Sequence, residues 1–224
     1  MSVLVFDLDG TLVSSMEDLV ATLNAVLDNA GHGTVPQDKV ANMVGMGAKV
    51  LLQRGLDYLE IAWSDETITP LYEDFLEYYA ANIAVHTRPF DGVVPALDRF
   101  RADGWKLAVC TNKTERLTLP LLAALNMTDH FDAVVGGDTF AVSKPRAEPV
   151  LGAIKRAGGT PEGSIMIGDS VTDIKAARAA GIPVVAVDFG YTPVPVRELG
   201  PDCIISHFDE LANAVADLRT RHQG

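Results

Sequence analysis

The sequence predicts a doubly wound α/β core that carries an inserted, all-helical cap. Three observations predict it. From residue 89 onward, short apolar runs alternate with amphipathic segments, the pattern of a parallel sheet covered by helices on both faces. An equivalent apolar run, Val3 to Phe6, stands near the N-terminus. Between them, residues 15–88 show helical periodicity and no convincing strand. A helical block that interrupts an α/β unit directly after its first strand is what an inserted cap looks like. The expected division is therefore a catalytic core of residues 1–14 and 89–224 and a cap of residues 15–88.

The elements follow in order. Val3 to Phe6 is continuously apolar, as suits a strand buried on both faces. Ser14-Ser15 opens a helix with an early acidic turn, and Leu19, Val20, Leu23, Val26, Leu27 and Ala30 recur at helical spacing up to Gly31. Val40, Val44 and Val50 to Leu52 mark two short helices around Gly45-Met46-Gly47, and a longer helix is expected from Ile68 to Ile83. The core then reads as helix 93–102, strand 106–111, helix 117–125, strand 133–135, helix 149–157, strand 164–167, helix 172–180, strand 184–187, strand 203–205 and helix 208–218. This is a Rossmann-like order of parallel strands and helices.

Composition narrows the function classes. The 224 residues are 48% hydrophobic with a formal charge of −12. A chain this acidic lacks the basic face that nucleic acid requires, and it must draw an anionic ligand by local charge. No apolar run approaches the roughly 20 residues that span a bilayer. No basic segment precedes the first apolar run, so no signal peptide is expected and the chain reads as cytoplasmic. Cys110 and Cys203 lie far apart in apolar segments and are expected to be buried, reduced thiols.

Polar residues collect where strands end, which is where open α/β sheets place their ligands. Asp7 and Asp9 follow the first strand, Thr111, Asn112 and Lys113 the second, Ser143-Lys144-Pro145 a later loop, and Gly168-Asp169-Ser170 with Asp173 a fourth strand. Each alone has an ordinary structural explanation: Asp169 could cap a helix and Lys144 could be solvated. Together they suit a carboxylate that attacks a phosphate. Such an attack faces charge repulsion, so Asp7 and Asp169, on neighbouring strands, are candidates to hold Mg²⁺ through hard oxygen ligands. Lys144 would add a fixed positive charge and Thr111 one hydrogen bond to the phosphoryl oxygens. Because strand side chains alternate, Asp9 is expected to point the same way as Asp7. The glycines of Gly45-Met46-Gly47-Ala48-Lys49 would let this loop approach the site, with Lys49 as a possible charge for the substrate.

FDLDGTL at 6–12, TNK at 111–113, SKP at 143–145 and GDSVTDIKAAR at 168–178 stand in the order of four motifs. In these the chain resembles the haloacid dehalogenase superfamily, and in Thr87 to Phe90 and its C-terminal segment the phosphoglycolate phosphatase-like group. The resemblance implies Asp7 as nucleophile, Asp9 as general acid and base, and Thr111, Asn112 and Lys144 on the phosphate. It implies Mg²⁺ on Asp7, the Asp9 carbonyl and Asp169, with Asp173 and Ser170 in support. The implied reaction is hydrolysis of a small phosphate monoester, 2-phosphoglycolate first, by a monomer or homodimer. A hexose-phosphate mutase, a pyrophosphatase and a non-catalytic phosphate-binding regulator are the alternatives. The chain departs from the usual pattern at Ser14-Ser15, Ala147 and Asp91-Gly92. None of these removes a catalytic group.

Overall fold

The computed structural model describes residues 1–41 and 43–222. The elements in chain order are β1 (Val3–Phe6), β2 (Val13–Ser14), α1 (Met16–Asn29), α2 (Gln37–Val40), α3 (Ala48–Tyr58), α4 (Asp65–Ala81), β3 (Arg88–Pro89), α5 (Val93–Ala102), β4 (Lys106–Cys110), α6 (Glu115–Ala124), β5 (Ala133–Val135), α7 (Ala147–Arg156), β6 (Ile165–Gly168), α8 (Val171–Ala179), β7 (Val184–Val187), β8 (Cys203–Ile205) and α9 (Leu211–His222). Six strands form one sheet in the order β5-β4-β1-β6-β7-β8, parallel at every pairing.

Alternation along each strand divides the core into two layers. Leu4 and Phe6 of β1 join α5, α6 and α9 in one apolar cluster. Val3 and Val5 join α7 and α8 in the other. Both faces are therefore dry, which is why the strands read as unbroken apolar runs. The chain moves outward from β1 in both directions, through β4 to β5 and through β6 to β8. That makes the C-terminal end of β1 the switch point at which a crevice opens.

Helices α1, α3 and α4 pack on one another around a third apolar cluster that includes Leu23, Leu27, Leu52, Phe75 and Tyr79. Leu117 of α6 enters the same cluster and Tyr191 packs against it, so the core supplies side chains to the insertion's interior. The two connections to the insertion pair with each other. Val13 lies opposite Pro89 and Ser14 opposite Arg88 in a two-stranded antiparallel ribbon, β2-β3, that periodicity could not reveal in segments this short. Just inside it, the buried Asp18 carboxylate accepts hydrogen bonds from the His86 and Thr87 amides and from the Thr87 hydroxyl at 2.6 Å. This fastens the start of α1 to the returning chain.

Three sequence expectations need correction. Helix α4 starts at Asp65, not Ile68, because Ser64 caps it: its hydroxyl accepts from the Thr67 amide, and the Thr67 hydroxyl accepts from the Ser64 amide. The final helix starts at Leu211 after a 3₁₀ turn at Phe208–Glu210. Cys110 is buried in β4, its thiol pushed up to about 12 by burial. Cys203 is only half-buried, since β8 is an edge strand. Among the described residues no helix is long and apolar enough to cross a membrane.

Candidate active site

The first turn beyond β1 builds the site. The Asp7 amide still bonds to the Ile167 carbonyl of β6, which fixes the residue at the sheet's end. Asp9 lies past the strand, where Gly10 adopts a φ of +82°. Its direction is thus set by the turn and not by strand alternation.

Asp7 is buried and faces Lys144, whose ammonium lies 2.8 Å from Asp7 Oδ1 and 2.6 Å from Asp173 Oδ1. Beyond this ion pair, the buried Asp7 oxygen has no hydrogen-bond partner. Asp173, in the first turn of α8, is fully engaged. Its other oxygen accepts from the Ser170 amide at 3.0 Å and the Ser170 hydroxyl at 2.6 Å. Asp169 accepts from the Thr11 hydroxyl at 2.9 Å and from the Tyr191 amide at 2.7 Å. It is wedged between two glycines. A Cβ on Gly10 would stand 2.6 Å from Asp169 Oδ2, and one on Gly190 would collide with the Asp169 side chain.

Asp7, Asp169 and Asp173 bring one oxygen each within 4.8 Å of one another. Burial, then the Asp173 charge, raises Asp7 to about 7 against the opposing effect of Lys144. Burial, then Asp173 and Asp7, raises Asp169 to about 8. Burial alone would lower Lys144, but Asp173 and Asp7 outweigh it and hold the ammonium charged. Three carboxylates against one ammonium fit a small hard divalent cation.

The second end of the site faces the insertion. Asp9 accepts from the Ser15 hydroxyl at 2.6 Å and from the Lys113 ammonium at 3.0 Å. Lys113 is buried, and its ammonium also sits 4.3 Å from the centroid of the Tyr79 ring of α4. The Thr111 hydroxyl accepts from the Lys113 amide, which leaves its proton for a ligand. Asn112, expected on a phosphate, spends its amide group on the carbonyls of Gly45 and Lys144 and so ties the 45–49 loop to the lysine loop. Lys49 lines the cleft, but its half-exposed ammonium is held by Asp65 at 2.8 Å. The cleft between core and insertion is about 260 Å³ and is bordered by Asp7, Asp9, Thr111 and Lys113.

The fold thus gathers Asp7, Asp9, Thr111, Lys144, Asp169, Ser170 and Asp173 at one crevice. Sequence reasoning placed Lys113 at the second strand's end and Ser15 at a helix start without a role for either, and it missed Tyr79 and Tyr191. Tyr191 carries a signal in retrospect, because Phe189-Gly190-Tyr191 follows β7 as the other site segments follow their strands. Its hydroxyl accepts from the Ser15 and Met16 amides, so it joins the carboxylate cluster to the start of α1.

The family model of the haloacid dehalogenase-like hydrolases matches residues 4–187. The chain is 46% identical to a phosphoglycolate phosphatase of Agrobacterium fabrum, over 94% of its own length and 91% of the relative's. It is 43% identical to one of Mesorhizobium japonicum, over 99% and 98%. A solved structure from Haemophilus somnus, described as a predicted phosphoglycolate phosphatase, superposes with a TM-score of 0.89 at 30% identity and covers 96% of this chain and 97% of that one. The chain belongs to the haloacid dehalogenase-like hydrolase family, in its phosphoglycolate phosphatase-like group, and is a phosphoric monoester hydrolase.

Proposed function

We propose that the protein hydrolyses 2-phosphoglycolate through a covalent phosphate on Asp7, with residues 15–88 as a cap over the site. One observation carries the reading: Asp7, at the sheet's end and on the floor of the cleft, shares its surroundings with two more buried carboxylates and a single lysine. An Asp7 oxygen attacks phosphorus as the ester oxygen leaves. Asp9 gives that oxygen a proton and later takes one from the water that attacks the phosphoenzyme, releasing phosphate and restoring Asp7. Lys144 holds charge against the phosphoryl oxygens, and the free Thr111 proton bonds to one of them. Asp7, Asp169 and the Asp9 carbonyl would hold Mg²⁺, with Asp173 and Ser170 keeping Lys144 and the loop in place. Bound Mg²⁺ would neutralise phosphoryl charge and offset the repulsion between nucleophile and substrate.

Two features support residues 15–88 as a cap: the insertion's own apolar cluster and the paired connections at β2-β3. The cleft volume of about 260 Å³ lies below the range of roughly 300–1,000 Å³ for drug-sized ligands, which favours a substrate of a few heavy atoms. The small-molecule relatives and the chain's acidity both speak for a metabolite rather than a polymer. A panel of phosphate esters assayed with and without Mg²⁺ tests the reading. Fastest release from 2-phosphoglycolate, dependent on Mg²⁺, is expected. Interconversion of sugar phosphates without net release, or no turnover at all, would overturn it.

A further inference from the structure

We propose that the Lys113 ammonium recognises the substrate's carboxylate, and that Asp9 occupies that carboxylate's place in this structure. The inference rests on 2-phosphoglycolate as the substrate, and it assigns a group to the part of the molecule that the phosphate site does not explain.

Three observations converge on Lys113. The first is supply. Lys113 and Lys144 are the buried lysines among the described residues, and Lys144 is committed to Asp7 and Asp173. Lys49 is half-exposed and paired with Asp65. In a chain of net charge −12, a second anion on the substrate needs a local cation, and Lys113 is a buried one in the cleft wall, next to Asp9.

The second is unmet hydrogen bonding. Four buried side-chain polar atoms among the described residues have no hydrogen-bond partner. One is Asp7 Oδ1. The other three are Asn112 Oδ1 and Thr114 Oγ1, on either side of Lys113, and Tyr79 Oη, on the ring that packs against its ammonium. The Thr114 and Tyr79 hydroxyls are donors without acceptors, and a carboxylate is an acceptor only. A buried donor that folding leaves unpaired calls for an explanation, and a ligand supplies one.

The third is position. In 2-phosphoglycolate one methylene separates the ester oxygen from the carboxylate carbon. A side chain that protonates the ester oxygen therefore lies next to the carboxylate. Asp9 is that side chain, and Lys113 is the cation bonded to it, with contacts of 3.0 and 3.2 Å to its two oxygens. Binding exchanges one carboxylate for another on the same ammonium. Lys113 stays compensated in its buried position, while Asp9 keeps its Ser15 hydroxyl bond and is released toward the leaving oxygen. Recognition of the correct substrate is thereby tied to freeing the proton donor.

The test compares 2-phosphoglycolate with 2-hydroxyethyl phosphate, which replaces the carboxylate by a hydroxymethyl group. For Lys113→Met, kcat/KM on 2-phosphoglycolate should fall by roughly 10²-fold or more, the size expected when one member of a buried charge pair is removed. Much of the loss should appear in KM. On 2-hydroxyethyl phosphate the fall should be at least about tenfold smaller, because only the positioning of Asp9 is affected. Lys113→Arg should retain most of the preference. Tyr79→Phe removes only a hydroxyl without a partner, so it keeps the test open should Lys113→Met not fold, and it should lower the preference several-fold. Equal losses on both esters, or a preference that survives both Lys113→Met and Tyr79→Phe, would overturn the assignment of Lys113 and leave the substrate intact. A wild-type protein that turns over both esters equally well would overturn the substrate itself, and this inference with it.

Discussion

At the sheet end of the cleft, Lys144 faces Asp7 and Asp173 with Asp169 beside them, three carboxylates for one ammonium. At the insertion end, Lys113 faces Asp9 alone. Both lysines are buried, and both are held charged by carboxylates that outweigh the effect of burial. The balance of charge separates the two ends. The first carries excess negative charge, stored as raised proton affinity on Asp7 and Asp169, and so demands a cation. The second is neutral as a pair and makes no such demand. It can only exchange one partner for another of like charge. A buried pair of this kind contributes little net stability, since desolvation offsets most of the attraction, which suits a contact that must open.

The comparison breaks most sharply at the nucleophile. Asp7→Asn should lower kcat on the order of 10⁴-fold or more, because the covalent route is lost and not merely slowed. Quenching during turnover should show hydroxylamine-sensitive phosphate on the wild type and none on this variant. Covalent phosphate persisting on Asp7→Asn would place the nucleophile elsewhere.

Asp9→Asn acts at the other end and should cost roughly 10²–10⁴-fold, the usual contribution of a general acid and base. It keeps the backbone carbonyl, so thermal stabilisation by Mg²⁺ should survive. Full turnover by this variant would remove Asp9 from the mechanism.

The charge surplus makes a prediction about pH. Asp7 and Asp169 have folded-state values near 7 and 8, above the ordinary carboxylate value of 3.8. Between about pH 4 and 8 these two groups therefore bind more protons in the native state than in the unfolded chain, and their contribution to stability without metal falls as pH rises through that window. Mg²⁺ replaces those protons, so the gain in Tm from Mg²⁺ over EDTA should be larger at about pH 8 than at about pH 5. Asp169→Asn should abolish most of that gain while the protein stays folded. A gain independent of pH, or unchanged in Asp169→Asn, would separate the cluster from the metal.

The smallest effect on chemistry is expected beside the β2-β3 ribbon. Asp18→Ala strips the acceptor from the His86 amide and from the buried amide and hydroxyl of Thr87 and should cost about 2–4 kcal/mol in urea unfolding. Well below Tm, kcat should change far less than in either aspartate variant of the site. A kcat loss as large as that of Asp9→Asn would make Asp18 part of the mechanism and not of the scaffold.

The sequence by itself determined the fold class, the strand order's raw material and the groups at the sheet end. Each of Asp7, Thr111, Lys144 and Asp169 follows an apolar run or its connecting loop, and a parallel sheet must carry such positions to one edge. Local spacing was enough for these, because sheet geometry does the gathering. Only the tertiary structure decided the insertion end. Lys113 meets Asp9 across 104 residues, and the Tyr191 hydroxyl meets the Ser15 amide across 176. The Asn112 amide joins the Gly45 and Lys144 carbonyls, and Lys49 pairs with Asp65. Those outcomes depend on how the helical insertion lies over the core, through contacts such as Leu117 in its apolar cluster and Tyr79 over Lys113. Periodicity records which face of a helix is apolar, but not which distant side chain will stand opposite it.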